Sequence, residues 1–222
     1  ADGFGIGWYD HNTGDLPGIY KSVQPAWNDF NLKNMLQKLS ATCFVSHVRD
    51  ATMGSVSKFN CHPFFYKNLL FAHNGTIRGF DKMKREMQEM LSDEAFYMIK
   101  GHTDSEHFFA LLHDFLPQNV SSFQLSDLSV AVLKALAALT TMRQKLDLSD
   151  YTSMNCVFTD GCRLIATRYS SDSGKRPPSL YYSLRMADGS AAIDASAQGV
   201  IVSSEPLTDL VSAWHEVPEN HM

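Results

Sequence analysis

The order of elements in the chain limits its architecture more than any single motif does. Strand-like segments come first, helical segments fill the middle, and strand-like segments return at the end. A doubly wound parallel sheet needs strands and helices in alternation, which this order does not supply. It fits two mainly antiparallel sheets with helices outside. No linker-like break and no internal repeat divides the chain, so a single domain over residues 1–222 is expected.

The individual segments follow from pattern. Phe4, Ile6 and Trp8 alternate with Gly3, Gly5 and Gly7, as in a strand with one crowded face. These glycines do not form a nucleotide loop, because that motif must open a helix and Asp10–Asp15 reads as a turn. Residues 17–24 form a second strand. Asn28 or Asp29 caps a helix with Leu32, Met35, Leu36 and Leu39 on one face. Residues 42–48 read as a buried strand and 63–73 as one long aromatic strand. Helices are expected over 80–91, 104–116 and 126–146. The Met83, Met87 and Met90 stripe on the first of these reads as core. Residues 155–169 read as a hairpin around a type I′ Asp160-Gly161 turn. Segments 180–184, 199–203 and 214–217 supply three more strands.

Composition removes several function classes. A net charge of −5 speaks against a nucleic-acid binder, which usually carries a basic face. The longest apolar-rich stretch, 125–139, is broken by Ser126, Asp127, Ser129 and Lys134, so no membrane span is expected. Residues 1–10 lack the basic and apolar regions of a signal peptide. Cys43, Cys61, Cys156 and Cys162 form no CxxC pair and read as reduced thiols of a cytoplasmic protein. The nine histidines show no HExxH or Cys/His ligand spacing, so neither metal nor cofactor is expected.

Three polar signatures lie between His47 and Glu106. They are His47-Val48-Arg49-Asp50-Ala51-Thr52, Ala72-His73-Asn74-Gly75 and Gly101-His102-Thr103-Asp104-Ser105-Glu106. An Asn60-Cys61-His62-Pro63 loop separates the first two. Asn74-Gly75 reads either as a hairpin turn or as an oxyanion hole, since an amide NH2 and a glycine N–H can aim at one developing oxyanion. Arg49 is either a surface residue at a strand end or a fork for a substrate carboxylate, to which Thr52 can add a hydroxyl. Thr103 and Glu106 form a capping box, which leaves Asp104 able to accept a hydrogen bond from a substrate ammonium. Cys61 carries no mark of an activated nucleophile, and His62 reads as a hydrogen-bonded loop residue.

Arg49-x-Ala51-Thr52-x-Gly54, Asn60-x-His62-Pro63, His73-Asn74-Gly75 and Thr103-Asp104-Ser105-Glu106 together resemble the class II glutamine amidotransferases, which are N-terminal nucleophile hydrolases. Asp2-Gly3-Phe4-Gly5-Ile6-Gly7-Trp8-Tyr9 and Ser203-Ser204-Glu205-Pro206-Leu207 are similar to a stand-alone branch. That branch includes the γ-glutamyl hydrolases of ergothioneine synthesis and glutathione degradation. The resemblance implies an α+β fold, an αββα four-layer sandwich. It implies hydrolysis or transfer at a γ-glutamyl amide of a small-molecule substrate. Arg49 and Thr52 would bind the α-carboxylate, Asp104 and the Gly75 region the α-ammonium, and Asn74 with Gly75 the oxyanion. The catalyst would be an N-terminal cysteine with its own α-amine as base.

The sequence departs from the family by opening with Ala1 at the Asp-Gly-x-Gly strand, where relatives carry their cysteine well upstream. The expectation is a nucleophile segment before Ala1 and a last strand after Met222. The alternative is a non-catalytic glutamyl-binding or regulatory relic of the same fold. A partner synthase and a homo-oligomer both stay open.

Overall fold

Glycines at alternate positions of the first strand let two sheets meet at close range. The computed structural model describes residues 2–10, 12–50, 56–117, 124–185, 190 and 198–222. Strand β1 (Phe4–Tyr9) pairs antiparallel with β2 (Gly18–Ser22) and with β3 (Cys43–Val48). Phe4 and Ile6 cluster with Leu32 of the short helix α1 (Phe30–Leu36), which Asp29 caps by accepting the Leu32 N–H at 2.8 Å. Gly5, Gly7 and Tyr9 point the other way, toward a second sheet. A Cβ on Gly5 would collide with the His62 carbonyl oxygen, and one on Gly7 would lie 2.7 Å from a Leu70 methyl. Tyr9 packs with Val45, Leu70 and Ala72, and its hydroxyl lies 2.7 Å from the Asn68 carbonyl oxygen.

The second sheet runs in the order β4 (Phe64–Tyr66), β5 (Leu69–Thr76), β6 (Ser153–Thr159), β7 (Leu164–Ser170), all antiparallel. Leu70 and Ala72 of β5 face the first sheet, while Leu69 and Phe71 face a layer of helices. That layer contains α2 (Phe80–Met90), α3 (Asp93–Met98), α4 (Asp104–Asp114) and α5 (Leu125–Lys145). Phe71 stacks on Phe109 of α4, ring centroids 5.3 Å apart. The largest apolar cluster fills this space with Phe108, Leu112, Met83, Leu128, Leu139 and Phe158 among its members. The layers therefore run α1, first sheet, second sheet, remaining helices: the αββα sandwich. Strands β8 (Tyr181–Arg185), β9 (Gly199–Ser203) and β10 (His215–Glu216) make a third small sheet, order β10-β8-β9. Arg168 of β7 ties to it through Glu216 Oε1 at 2.7 Å and the Val217 carbonyl at 2.8 Å.

Several sequence expectations need correction. The aromatic run 63–73 is not one strand but a hairpin, reversing at Lys67 and Asn68 with Lys67 at φ 50°. Only Val45 of β3 is buried, whereas Phe44 and Val48 are exposed, because α1 covers β1 and not β3. Asn74-Gly75 lies inside β5, paired with Asn155 and Met154, and is no turn. The β6–β7 connection spans four residues, with Asp160 Oδ1 accepting the Cys162 and Arg163 N–H groups, which replaces the two-residue type I′ turn. Leu39 lies beyond the end of α1, and α3 was not anticipated. Met83 and Met87 are core as expected, but Met90 is half exposed. By length and composition alone α5 is long and apolar enough to cross a membrane. Its inner face, however, supplies Leu128, Ala131, Ala135 and Met142 to the core.

Two predictions follow from this packing. Gly5→Ala forces a methyl against backbone and is expected to cost about 2 kcal/mol or more. Gly199→Ala, whose nearest neighbour would lie 4.0 Å away, should change stability by at most about 1 kcal/mol. Urea unfolding of both variants checks this, and equal losses would contradict it. The second concerns His107, fully buried on α4. Its Nδ1 donates to the Thr103 carbonyl at 2.8 Å, and its Nε2 accepts from Gln88 Nε2 at 3.0 Å. Burial lowers its pKa from 6.5 to about 4. The unfolded chain takes up this proton first as pH falls, so the stability this residue contributes is full above 6.5 and lost on the way to 4. Ring NMR at pH 5.5 should show a neutral, Nδ1-protonated imidazole; an imidazolium at that pH would contradict the assignment.

Candidate active site

The end of β5 and the start of α4 meet at one carboxylate. Helix α4 begins at Asp104 because Thr103 caps it, its Oγ1 accepting the Glu106 N–H at 3.2 Å. Asp104 Oδ2 accepts the Ile77 N–H at 2.8 Å, just past β5. Oδ1 accepts the Ser105 N–H at 2.8 Å and the Ser105 hydroxyl at 3.2 Å. An ionised carboxylate offers about four acceptor positions, so this buried group keeps one for a ligand.

Glu106 does only half of what a capping box requires. Its oxygens accept from Lys100 N at 2.9 Å and Gly101 N at 2.7 Å, not from Thr103 N. The preceding loop folds back over the helix start and brings those two N–H groups within reach. Asn60 secures the same loop from outside, its Oδ1 accepting the His102 N–H at 3.1 Å.

Arg49, Asn74, Gly75 and Asp104 line one cavity of about 340 Å³, within the size range of small-molecule pockets. Thr52 lies outside the described residues. Arg49 is buried at the end of β3, where its backbone pairs with Gly3 and Asp2 at 2.8 Å. Asn74 projects from β5, and its Nδ2 donates to Ser204 Oγ at 3.4 Å. One amide hydrogen is thereby left over. Gly75 has φ 149°, and a Cβ there would collide with the Ser153 carbonyl oxygen, so the position admits only glycine.

The cavity is also lined by residues to which the sequence reading gave no part in the site: His47, His62, His73, Ser105 and Ser204. The rings of His47 and His62 lie 4.3 Å apart, and those of His62 and His73 6.5 Å apart. Both ring nitrogens of His62 lack a hydrogen-bond partner among the described residues, contrary to its expected role as a hydrogen-bonded loop residue. Burial lowers all three pKa values: His47 to about 4, helped by His73 and Arg49; His62 well below its ordinary value; and His73 against the opposing pull of Asp104. The histidines are neutral at pH 7, so the cavity's charge rests on Arg49, Asp50 and Asp104. His73 Nδ1 lies 2.8 Å from Ser105 Oγ, which links the ring to Asp104. Their adjacency to the polar signatures was the only sequence signal for these residues.

Cys61 is not a lining residue. It is buried, its Sγ lies 3.5 Å from the Ser57 carbonyl oxygen, and burial raises its pKa. Cys43, Cys156 and Cys162 are likewise free thiols outside the cavity lining. No cluster of three metal-ligating side chains occurs among the described residues.

Comparison with known proteins gives one answer. The family described as glutamine amidotransferases class-II matches residues 1–222. The probable glutamine amidotransferase DUG3 of Saccharomyces cerevisiae is 31% identical over 99% of this chain and 68% of its own length. An uncharacterised protein of Methanocaldococcus jannaschii is 29% identical over 78% of this chain, which spans 47% of it. A solved glutamine aminotransferase class-II domain protein from Silicibacter pomeroyi superposes with TM-score 0.74 at 31% identity, covering 97% of this chain and 84% of its own. A B. subtilis glutamine phosphoribosylpyrophosphate amidotransferase shares the fold at TM-score 0.55 and 18% identity, over 84% of this chain and 34% of its own. By sequence across residues 1–222 and by its αββα fold, the chain belongs to the class II glutamine amidotransferases of the N-terminal nucleophile hydrolase type.

Proposed function

We propose that residues 1–222 act as one domain that hydrolyses, or transfers at, the γ-glutamyl amide of a small molecule. The observation that carries this reading is the convergence of Arg49, Asp104 and Asn74-Gly75 on one cavity. Arg49 takes the substrate α-carboxylate, with Thr52 as a second donor. Asp104 gives its remaining acceptor position to the α-ammonium. The γ-carbonyl then lies toward Asn74 and Gly75. The attacking group is the thiol of an N-terminal cysteine upstream of residue 1, deprotonated by its own α-amine. It adds to the γ-carbonyl carbon, the charge on oxygen is met by Asn74 Nδ2 and the Gly75 N–H, and collapse expels the amine. Water then cleaves the glutamyl thioester.

The yeast relative's name, probable glutamine amidotransferase, agrees with this reading. Its stand-alone γ-glutamyl character rests on the opening strand and on Ser203-Ser204-Glu205-Pro206-Leu207, whose Ser204 reaches Asn74. Four free thiols support a reducing, cytoplasmic compartment. A non-catalytic glutamyl-binding protein is the second reading, since no thiol lines the cavity among the described residues.

Asn74→Ala should lower kcat by about 10²–10³-fold in glutaminase and γ-glutamyl hydrolysis assays. A near-wild-type kcat in a folded variant would refute the oxyanion role. Arg49→Lys should raise KM for glutamyl substrates, because an ammonium cannot form the bidentate fork. An unchanged KM would count against carboxylate binding at this position.

A further inference from the structure

A second cavity, of about 500 Å³, shares no lining residue with the first. Its walls are largely aromatic, with Phe59, Phe64, Phe65, Tyr97 and Phe109 among them. Phe59, Phe65 and Tyr97 are each more than half exposed, an unusual outlay of aromatic surface in one place. Three lysines also line it: Lys21, Lys67 and Lys100.

The three cations differ in what holds them. Lys67 pairs with Glu94 at 2.7 Å, and Lys100 Nζ donates to the Tyr97 carbonyl at 2.6 Å. Lys21 has no carboxylate within ion-pair distance among the described residues. It stands opposite Gly5 in the β1–β2 register, and its stem lies over that glycine. Its ammonium sits 5.1 Å from the Phe64 ring centroid and 5.9 Å from that of Phe65. Burial lowers its pKa to about 8 against the opposing influence of Cys61 and Glu106. Glu106 acts on it only from beyond ion-pair distance, and each of its carboxylate oxygens already accepts one backbone N–H.

A half-buried cation against two aromatic rings, with no carboxylate at ion-pair distance among the described residues, is complementary to a ligand that brings one. We propose that this cavity is a second binding site, which takes a small organic acid by pairing its carboxylate with Lys21 and laying an aromatic or apolar body against the Phe59, Phe65 and Tyr97 wall. The site stands independently of the γ-glutamyl reading, since no residue of the first cavity takes part.

The test uses phenylacetate as the probe on the full-length protein, by calorimetry or ligand-observed NMR. Saturable binding is expected, at least ten-fold tighter than that of acetate, which lacks the ring, or of 2-phenylethanol, which lacks the charge. Lys21→Met should weaken it at least ten-fold. Affinity should fall as pH rises through about 8, where Lys21 loses its proton. Phe65→Ala, at a side chain exposed enough to be removed without harming the fold, should weaken binding as well. Asn74→Ala should leave it unchanged. Absence of saturable binding, wild-type affinity in a folded Lys21→Met or Phe65→Ala variant, or loss of binding in Asn74→Ala would overturn the proposal.

Discussion

The Asp104 carboxylate is the contact on which both fold and site depend. It fastens the residue after β5 to the first turn of α4 by accepting the Ile77 and Ser105 N–H groups. These are charge-assisted bonds in a buried setting, and losing one partner there costs more than the bond contributes on average. Asn74 and Gly75 lie just upstream on the same strand, so the bond that sets α4 on the sheet also sets where Asp104 stands relative to them. The helix start is braced again through Glu106 and Asn60, which pin the 100–102 loop from two sides. The proposed oxyanion role requires donors braced in this way, since the charge they would meet appears only in the transition state.

The histidines around the cavity serve the same end by staying uncharged. His47, His62 and His73 are each desolvated; Arg49 and neighbouring rings further discourage protonation of His47 and His62, while desolvation outweighs the opposing pull of Asp104 at His73. Neutral rings leave Arg49 as the cation of the lining and Asp104 as a buried anion on the same cavity as Asn74 and Gly75. That pairing of opposite charges suits an amino-acid head group, and the neutral rings add no competing net charge.

Much of this was legible in sequence because it rests on local chemistry. Thr103-Asp104-Ser105-Glu106 announces a helix start, and the alternation of Phe4, Ile6 and Trp8 with glycine announces a strand pressed against something. The errors came where tertiary contacts decide. Asn74-Gly75 has the composition of a turn, yet it sits in a central strand because β6 pairs with it on one side. The aromatic run 63–73 hides its reversal, since Lys67 is not a residue that signals positive φ. Glu106 chose Lys100 and Gly101 over its helical partner because of a loop path that no periodicity encodes. β3 is apolar on both faces, but α1 covers only its neighbour. The clustering of three histidines is invisible in sequence, for they come from β3, a loop and β5.

The central claim is that this cavity presents a γ-glutamyl group to a cysteine at the mature N-terminus. The most direct test is to treat the full-length protein with a diazoketone analogue of glutamine and map the adduct by peptide mass spectrometry. The account predicts a single adduct on the N-terminal cysteine, suppressed by excess glutamine. Modification of Cys43, Cys61, Cys156 or Cys162 instead, or no modification at all, would contradict it.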